Sequence, residues 1–523
     1  MDAMPWLRDR YIIIVLAILF ICIIAIPRII FPDLEHGDEF SDASTLMSGK
    51  NFVKFGFIKC RFLPVFDPHL DKPANLYTHA PPMSDITNGA LRKIFKIDSL
   101  RFFREVALLC SLLNLLIWYL LIKKLTRSYL ISFLAALFYF SNTFFIFGAD
   151  SLYQNAYADF LRVLIIYIYI TVINFPQKRK IGLFFLFLLL TLETLFTFEY
   201  IVYLSLFFFI FKFFYRGQNE KFSIKYILIL FLAPVFGVAL HFLKNSWYFG
   251  SASLAFKDMT SIAVERIGYS KDSPIVLNFP NWWRYVLSRN FSLVFLFNYS
   301  ILFSFIFFSF ILYHNLSPES KKEIKRLLRL CVLFLICGIT WYSVFPSHTL
   351  AHTYVLFLVR HLVPAAALAF TLFCYIAYSF IRENNPRNLF GKSALIIIIV
   401  IIVLTGILKS ELPIGKDKIM WTKDFLVFKQ CLLSLREMGN GKEPIGVNYY
   451  RNPFMRYYAN RQCRAIFDKA SLEKSSPLPQ YFILMLYNNP SNQELYQYLN
   501  QKYVSLFQCH SGRFPSIFFK LKE

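Results

Sequence analysis

The sequence predicts a polytopic all-α membrane domain of about eleven transmembrane helices, followed by a small α/β domain on the extracytoplasmic side. Three observations carry this expectation. Of 523 residues, 57% are apolar, 19% aromatic and only 17% charged, whereas soluble globular domains run at roughly 45–50% apolar and about 25% charged. Apolar runs recur along residues 1–411, with basic residues clustered between them. From residue 412 onward the composition turns polar and mixed. A compact soluble enzyme, a disordered chain and a disulfide scaffold are excluded. The 56 Lys and Arg against 32 Asp and Glu leave a net charge of +24. In a membrane protein such an excess reads first as topology rather than as a nucleic-acid footprint.

A lipid-spanning helix needs roughly 20 mostly apolar residues. The first candidate runs from Tyr11 to Phe31 behind Arg8 and Arg10. It matches a signal peptide only in its charge order: it is too long and has no small-residue cleavage site, so a retained span is expected. Further spans are expected at about 105–122, 128–147, 156–174, 181–194, 197–213, 226–243, 291–313, 328–346, 353–380 and 393–410. With the N-terminus inside, Lys123-Lys124-Arg127, Lys178-Arg179-Lys180, Lys212 to Lys225, Lys321 to Arg329 and Arg382 to Lys392 all fall on the cytoplasmic side, as the positive-inside rule requires. That agreement depends on breaking 181–213 into two short spans near Glu193 and Glu199.

Three long stretches then lie outside: an outer loop of about 32–103, Asn245 to Asn290, and residues 412–523. Within the first, Ser41 to Phe55 and Ser84 to Phe95 have the spacing of helices lying along the membrane surface. The C-terminal segment shows a helical run from Lys423 to Met438 and strand-like runs at Pro444 to Tyr450, Tyr481 to Tyr487 and Tyr503 to Phe507. A polar helix is expected from Asn492 to Lys502. No internal repeat is evident, which weighs against a transporter built from paired halves.

Chemistry concentrates just after the first span, in Phe31-Pro-Asp-Leu-Glu-His-Gly-Asp-Glu-Phe40. Four carboxylates and a histidine at the membrane exit could supply a general base or help hold a divalent cation; a solvated acidic turn is the plainer alternative. Farther on stand Tyr77-Thr-His-Ala-Pro-Pro82 and Leu100-Arg-Phe-Phe-Arg104, which lead into a long span.

In this order the parts resemble the GT-C superfamily of membrane glycosyltransferases, in the branch of the protein O-mannosyltransferases and the lipid A aminoarabinose transferases. Asp38-Glu39 matches the acidic pair, His79-Ala-Pro-Pro matches a His-Pro-Pro element with one residue inserted, and Arg101 and Arg104 match loosely. Asp150 stands where the family often has a second outer acid. Pro346-Ser-His-Thr-Leu-Ala-His and Arg360-His-Leu-Val-Pro resemble the late outer loop and the span after it.

The resemblance implies transfer of a sugar from a polyprenyl-phosphate carrier to a lipid, glycan or protein acceptor at the outer face of the plasma membrane, or of the inner membrane in a Gram-negative cell. On that basis Asp38, Glu39 and Asp150 are the catalytic candidates, with Asp38 as general base. Arg360, His79, Arg101 and Arg104 are candidates for the donor phosphate. Arg360 leads, because an arginine within an apolar run is costly and is either functional or held by a structural partner. His348 and His352 lie four apart on one helical face and could meet phosphate or metal, or simply sit at the interface. Glu199 could contact substrate, while Glu193 and Glu199 could equally hold the turn between two spans. Arg284 and Arg289 suit interfacial anchors, and Asn281-Trp-Trp-Arg-Tyr suits an aromatic belt. No nucleic-acid partner is expected, and the need for a cation and a Cys463–Cys509 pairing both stay open. Two other readings compete: a different carrier chemistry at the same face, such as phosphoethanolamine or oligosaccharide ligation, and a transporter or flippase of a lipid-linked glycan.

Overall fold

The first apolar run forms helix α1 (Pro5–Phe20), which loosens into a π turn at Ile21–Ala25 and resumes as α2 (Ile26–Ile30). Pro27 has no N–H to offer the preceding turn, and a local change of helical winding accommodates that loss. The computed structural model describes residues 5–30, 39–68, 76–153, 155–174, 179–214, 224–267, 306, 309–344, 358–384, 389–439, 443–448, 452–486, 490–511 and 515–522. Asp38, His348, His352, Arg284, Arg289, the Trp282-Trp283 pair and most of the expected span 291–313 lie outside these residues.

The chain divides into two compact units, one comprising 1–30 and 104–411, the other 31–103 and 412–523. The outer loop, expected with the membrane domain, clusters with the C-terminal segment.

The first unit takes in all but the first residues of α5 (Leu100–Thr126), a single long helix. The run 128–147, expected as one span, is α6 (Tyr129–Phe140) and α7 (Thr143–Gly148). Asn142 makes the break, its side-chain oxygen accepting from the Phe144 N–H at 3.1 Å as an N-cap. Then come α8 (Asn155–Asn174), α9 (Arg179–Phe196), α10 (Glu199–Phe214), α11 (Ile224–Phe249) and α12 (Ala252–Ile267). The expected division of 181–213 falls at Thr197-Phe198, where the Thr197 hydroxyl accepts from the Glu199 N–H at 3.2 Å. A long helix Pro318–Val344, a 3₁₀ turn Leu358–Leu362 and a helix Val363–Asn384 follow. Four stretches among the described residues are long and apolar enough to cross a membrane: Asp9–Ile30, Leu100–Thr126, Asn155–Val172 and Arg360–Asn384. The chain is therefore a multi-pass, mostly helical membrane protein; the full count of eleven is carried by the sequence pattern.

In the second unit, α3 (Glu39–Phe55) packs on α4 (Met83–Phe95). Gly49 and Gly89 allow the approach: a Cβ on Gly49 would meet the Asn88 amide oxygen at 2.1 Å, and one on Gly89 the Phe52 Cβ at 2.9 Å. The helix Leu389–Glu437 runs without interruption through the expected span 393–410 and the expected helix 423–438. Its last turns lie on a five-stranded sheet of β1 (Ile445–Val447), β2 (Cys463–Ala465), β3 (Tyr481–Met485), β4 (Tyr503–Cys509) and β5 (Ser516–Leu521). The order is β2-β1-β3-β5-β4, with β2, β1 and β3 parallel and β5 antiparallel to both neighbours. β1 and β3 are buried along their whole length, which is why they read as unbroken apolar runs.

Candidate active site

The helix break at Thr197-Phe198 turns Glu199 and Tyr200 inward at the start of α10, opposite Asp159 and Arg162 on α8. The 3₁₀ turn Leu358–Leu362 delivers Arg360 and His361 to the same place. An Arg360 Nη2 donates to Glu199 Oε2 at 3.0 Å, and its Nε stands 3.8 Å from Asp159 Oδ1. His361 Nε2 lies 3.3 Å from the same Glu199 oxygen. Arg162 pairs with Asp159 at 3.4 Å, and the Tyr200 hydroxyl donates to Asp159. Tyr200 also spaces the two cations, with the Arg162 and Arg360 guanidinium carbons 4.5 and 5.4 Å from its ring centre.

Burial within the cluster is uneven. Arg162, Arg360, His361, Tyr200 and Glu193 are at most 4% exposed, whereas the Asp159 and Glu199 side chains keep 13% and 15%. A molecule reaching this site therefore meets two carboxylates with arginines behind them. Glu193, near the end of α9, is buried beside these charges, and neither of its carboxylate oxygens has a hydrogen-bond partner among the described residues. Ionisable groups in such numbers are expensive inside a membrane domain and mark a functional site by default. Chemically the arrangement can bind a hydroxyl or amine through its carboxylates. It can also offer guanidinium to a phosphate, if Glu199 exchanges its place on Arg360.

A second buried set forms around Asp150, which is fully buried. Arg28 Nε donates to Asp150 Oδ1 at 3.1 Å and its Nη2 to the Ile146 carbonyl at 2.8 Å, while Arg104 Nη1 stands 3.8 Å from Asp150 Oδ2. Two residues expected in different roles, Asp150 as an acid and Arg104 as a phosphate ligand, thus stand together, with the one Asp150 carboxylate shared between the Arg104 and Arg28 guanidiniums. This geometry joins the first span to α5 and to the end of α7. Glu199 and Arg360, expected separately, are likewise brought together.

The other described candidates belong to the second unit. His79 and Arg101 are exposed, and His79 lies 5.3 Å from the Tyr77 ring. Glu39 opens α3. In the same unit Lys50 stands 3.3 Å from Asp98 and 4.6 Å from the ring centre of Tyr457. Burial, together with the nearby Arg92 and Arg436 guanidiniums, pushes its ammonium down to about 8. Among the described residues, no three His, Cys, Asp or Glu side chains gather as metal ligands.

Sequence reasoning missed Asp159, Arg162, Tyr200 and His361. The first two carried a usable signal, being opposite charges three residues apart inside the apolar run 156–174. His361 adjoins Arg360 and was passed over in its favour.

No family model matches the sequence, and no curated protein matches it. The fold, however, is shared with solved structures over nearly the whole chain. ArnT from Cupriavidus metallidurans in the apo state superposes with a TM-score of 0.55 at 9% identity, covering 96% of this chain and 97% of that one. The same ArnT bound to undecaprenyl phosphate gives 0.52 at 10% identity over the same shares. An oligosaccharyltransferase from Archaeoglobus fulgidus, in the apo form, gives 0.51 at 12% identity, covering 91% of this chain and 69% of that chain. The resemblance to the GT-C glycosyltransferases therefore extends from short motifs to the fold.

Proposed function

We propose that this chain is an integral membrane glycosyltransferase that moves a sugar from a polyprenyl-phosphate-linked donor to an acceptor at the outer face of the membrane. The observation that carries this reading is the end-to-end fold likeness to ArnT, a protein whose structure has been described with undecaprenyl phosphate bound. The buried arginine–carboxylate cluster of α8, α10 and the 3₁₀ turn supports it. In the proposed reaction the acceptor oxygen or nitrogen attacks the anomeric carbon of the donor sugar and the polyprenyl phosphate leaves. Asp38 accepts the acceptor's proton, and Arg360 balances the phosphate charge. The acceptor is a lipid, a glycan or a protein, and the chemistry fits any nucleophilic hydroxyl or amine. Loop 31–103 and residues 412–523 face the extracytoplasmic side in this reading.

The direct test incubates the purified protein with candidate polyprenyl-phosphate sugars and acceptors and follows sugar transfer in detergent, where no gradient exists. Transfer supports the enzyme reading; binding of a lipid-linked glycan without turnover favours the transporter or flippase. General-base catalysis contributes roughly 10²- to 10⁴-fold. Asp38→Asn should therefore lose about that much turnover while keeping expression and donor binding. Near wild-type turnover in this variant would remove Asp38 from the mechanism.

A further inference from the structure

We propose that Cys431 and Cys509 form a disulfide that ties the last turns of the helix Leu389–Glu437 to strand β4. The two sulfurs lie 2.6 Å apart across a sequence separation of 78 residues. Both residues sit in the apolar cluster where this helix packs on the sheet, so the placement comes from the core and not from a surface loop. The sheet order excludes the pairing of Cys509 with Cys463. β2 and β4 are the opposite edges, and four strand spacings of about 4.8 Å separate them by about 19 Å, whereas bridged cysteines need Cα atoms within about 7 Å. The Cys463 thiol instead donates to the Arg461 carbonyl at 3.6 Å.

The chemistry balances by exchange with an external disulfide, either a thiol–disulfide oxidoreductase or a small-molecule disulfide. Cys431, the more exposed of the two, attacks as thiolate, releasing one thiol of the oxidant and leaving a mixed disulfide. Cys509 then attacks the Cys431 sulfur of that intermediate and releases the second thiol. Two thiol protons and two electrons leave the protein and reduce the oxidant to a dithiol or to two thiols. Formation in the cell rests on the outward placement of residues 412–523 proposed above, since disulfides persist in oxidising compartments.

The test uses the full-length protein in detergent, treated with oxidised glutathione, alkylated, digested and analysed by mass spectrometry. The expected result is a linked peptide joining Cys431 to Cys509, with Cys463 alkylated once the protein is unfolded. Reduction should lower the thermal midpoint of the wild type by about 5–15 °C, and should shift neither Cys431→Ser nor Cys509→Ser. Alkylated Cys431 and Cys509 after oxidation overturn the proposal whatever the topology or the sugar chemistry. A second arm blocks thiols at the moment of cell lysis. The linked peptide from native membranes confirms formation in the cell. Free thiols there, with the link formed in purified protein, overturn the cellular claim and the outward placement together.

Discussion

Arg360 and Glu199 meet at 3.0 Å inside the helical unit, so removing either takes away the other's nearest partner and leaves Arg360 only Asp159 at 3.8 Å, or Glu199 only His361 at 3.3 Å, among the pairs described above. Arg360→Ala and Glu199→Ala should each cost at most about 3–5 kcal/mol of stability in thermal or denaturant unfolding. The double variant should cost clearly less than the sum, because the partners couple; strict additivity would mean that the pair does not interact. Arg360→Lys keeps the charge but loses the planar fork. It should raise the KM for donor far more than for acceptor, and equal changes in both would move the phosphate site elsewhere. Lys50 yields a pH prediction. Its folded value of about 8 lies below the usual 10.5, so over pH 8 to 10.5 the unfolded chain binds the extra proton and stability rises with pH. The midpoint of the wild type should therefore climb relative to Lys50→Met across that window. A flat difference would show that the ammonium is not penalised. Single charges in apolar runs were legible in the sequence, as Arg360 and Glu199 show. Their partners were not, because Arg28 and Asp150 are 122 residues apart and no local pattern joins them.

Elements position these side chains through close backbone contacts. Gly338, in the helix Pro318–Val344, lies under the 3₁₀ turn that carries Arg360 and His361. A Cβ there would meet the His361 carbonyl oxygen at 2.7 Å and the Leu362 side chain at 2.8 Å. Because the nearer obstacle is backbone, no rotamer change relieves it. Gly338→Ala should cost roughly 1–3 kcal/mol and reduce turnover by displacing Arg360. Wild-type activity in a stably folded Gly338→Ala protein would show that the turn tolerates movement. Most helices were readable from apolar run length, and the division of α9 from α10 followed from charge placement. β2 and β5 were missed for different reasons. Three residues give β2 too little alternation to detect, and β5 sits in a short run beside the C-terminus. The continuity of Leu389–Glu437 was hidden by Pro413, which reads as a stop in a sequence.

At the scale of the whole molecule, every loop basic cluster falls on one side only if the expected spans are all present. Reporter fusions at Arg179 and Gln218 should give cytoplasmic signals, and one at Glu473 an external signal. A cytoplasmic reading at Glu473 would overturn both the count of eleven and the outward placement of the C-terminal unit. The fold class was legible because lipid imposes length and charge rules on any chain that crosses it. The grouping of 31–103 with 412–523 was not, since it depends on packing such as Ala43 against the cluster of Phe428, Leu432 and Leu435.

The pin between Arg28 and Asp150 has a consequence for how the chain is made. Arg28 lies near the end of the first span and its partner follows 122 residues later. At about 5–20 residues per second, the ribosome takes about 6–24 s to supply it. During that interval the first helix carries a guanidinium whose counter-charge does not yet exist. Its biogenesis therefore requires headgroups, water or the insertion machinery to shelter Arg28 until α7 arrives. A nascent chain truncated before Asp150 should engage membrane chaperones longer than one truncated after α8, a difference that time-resolved crosslinking from the first span can measure.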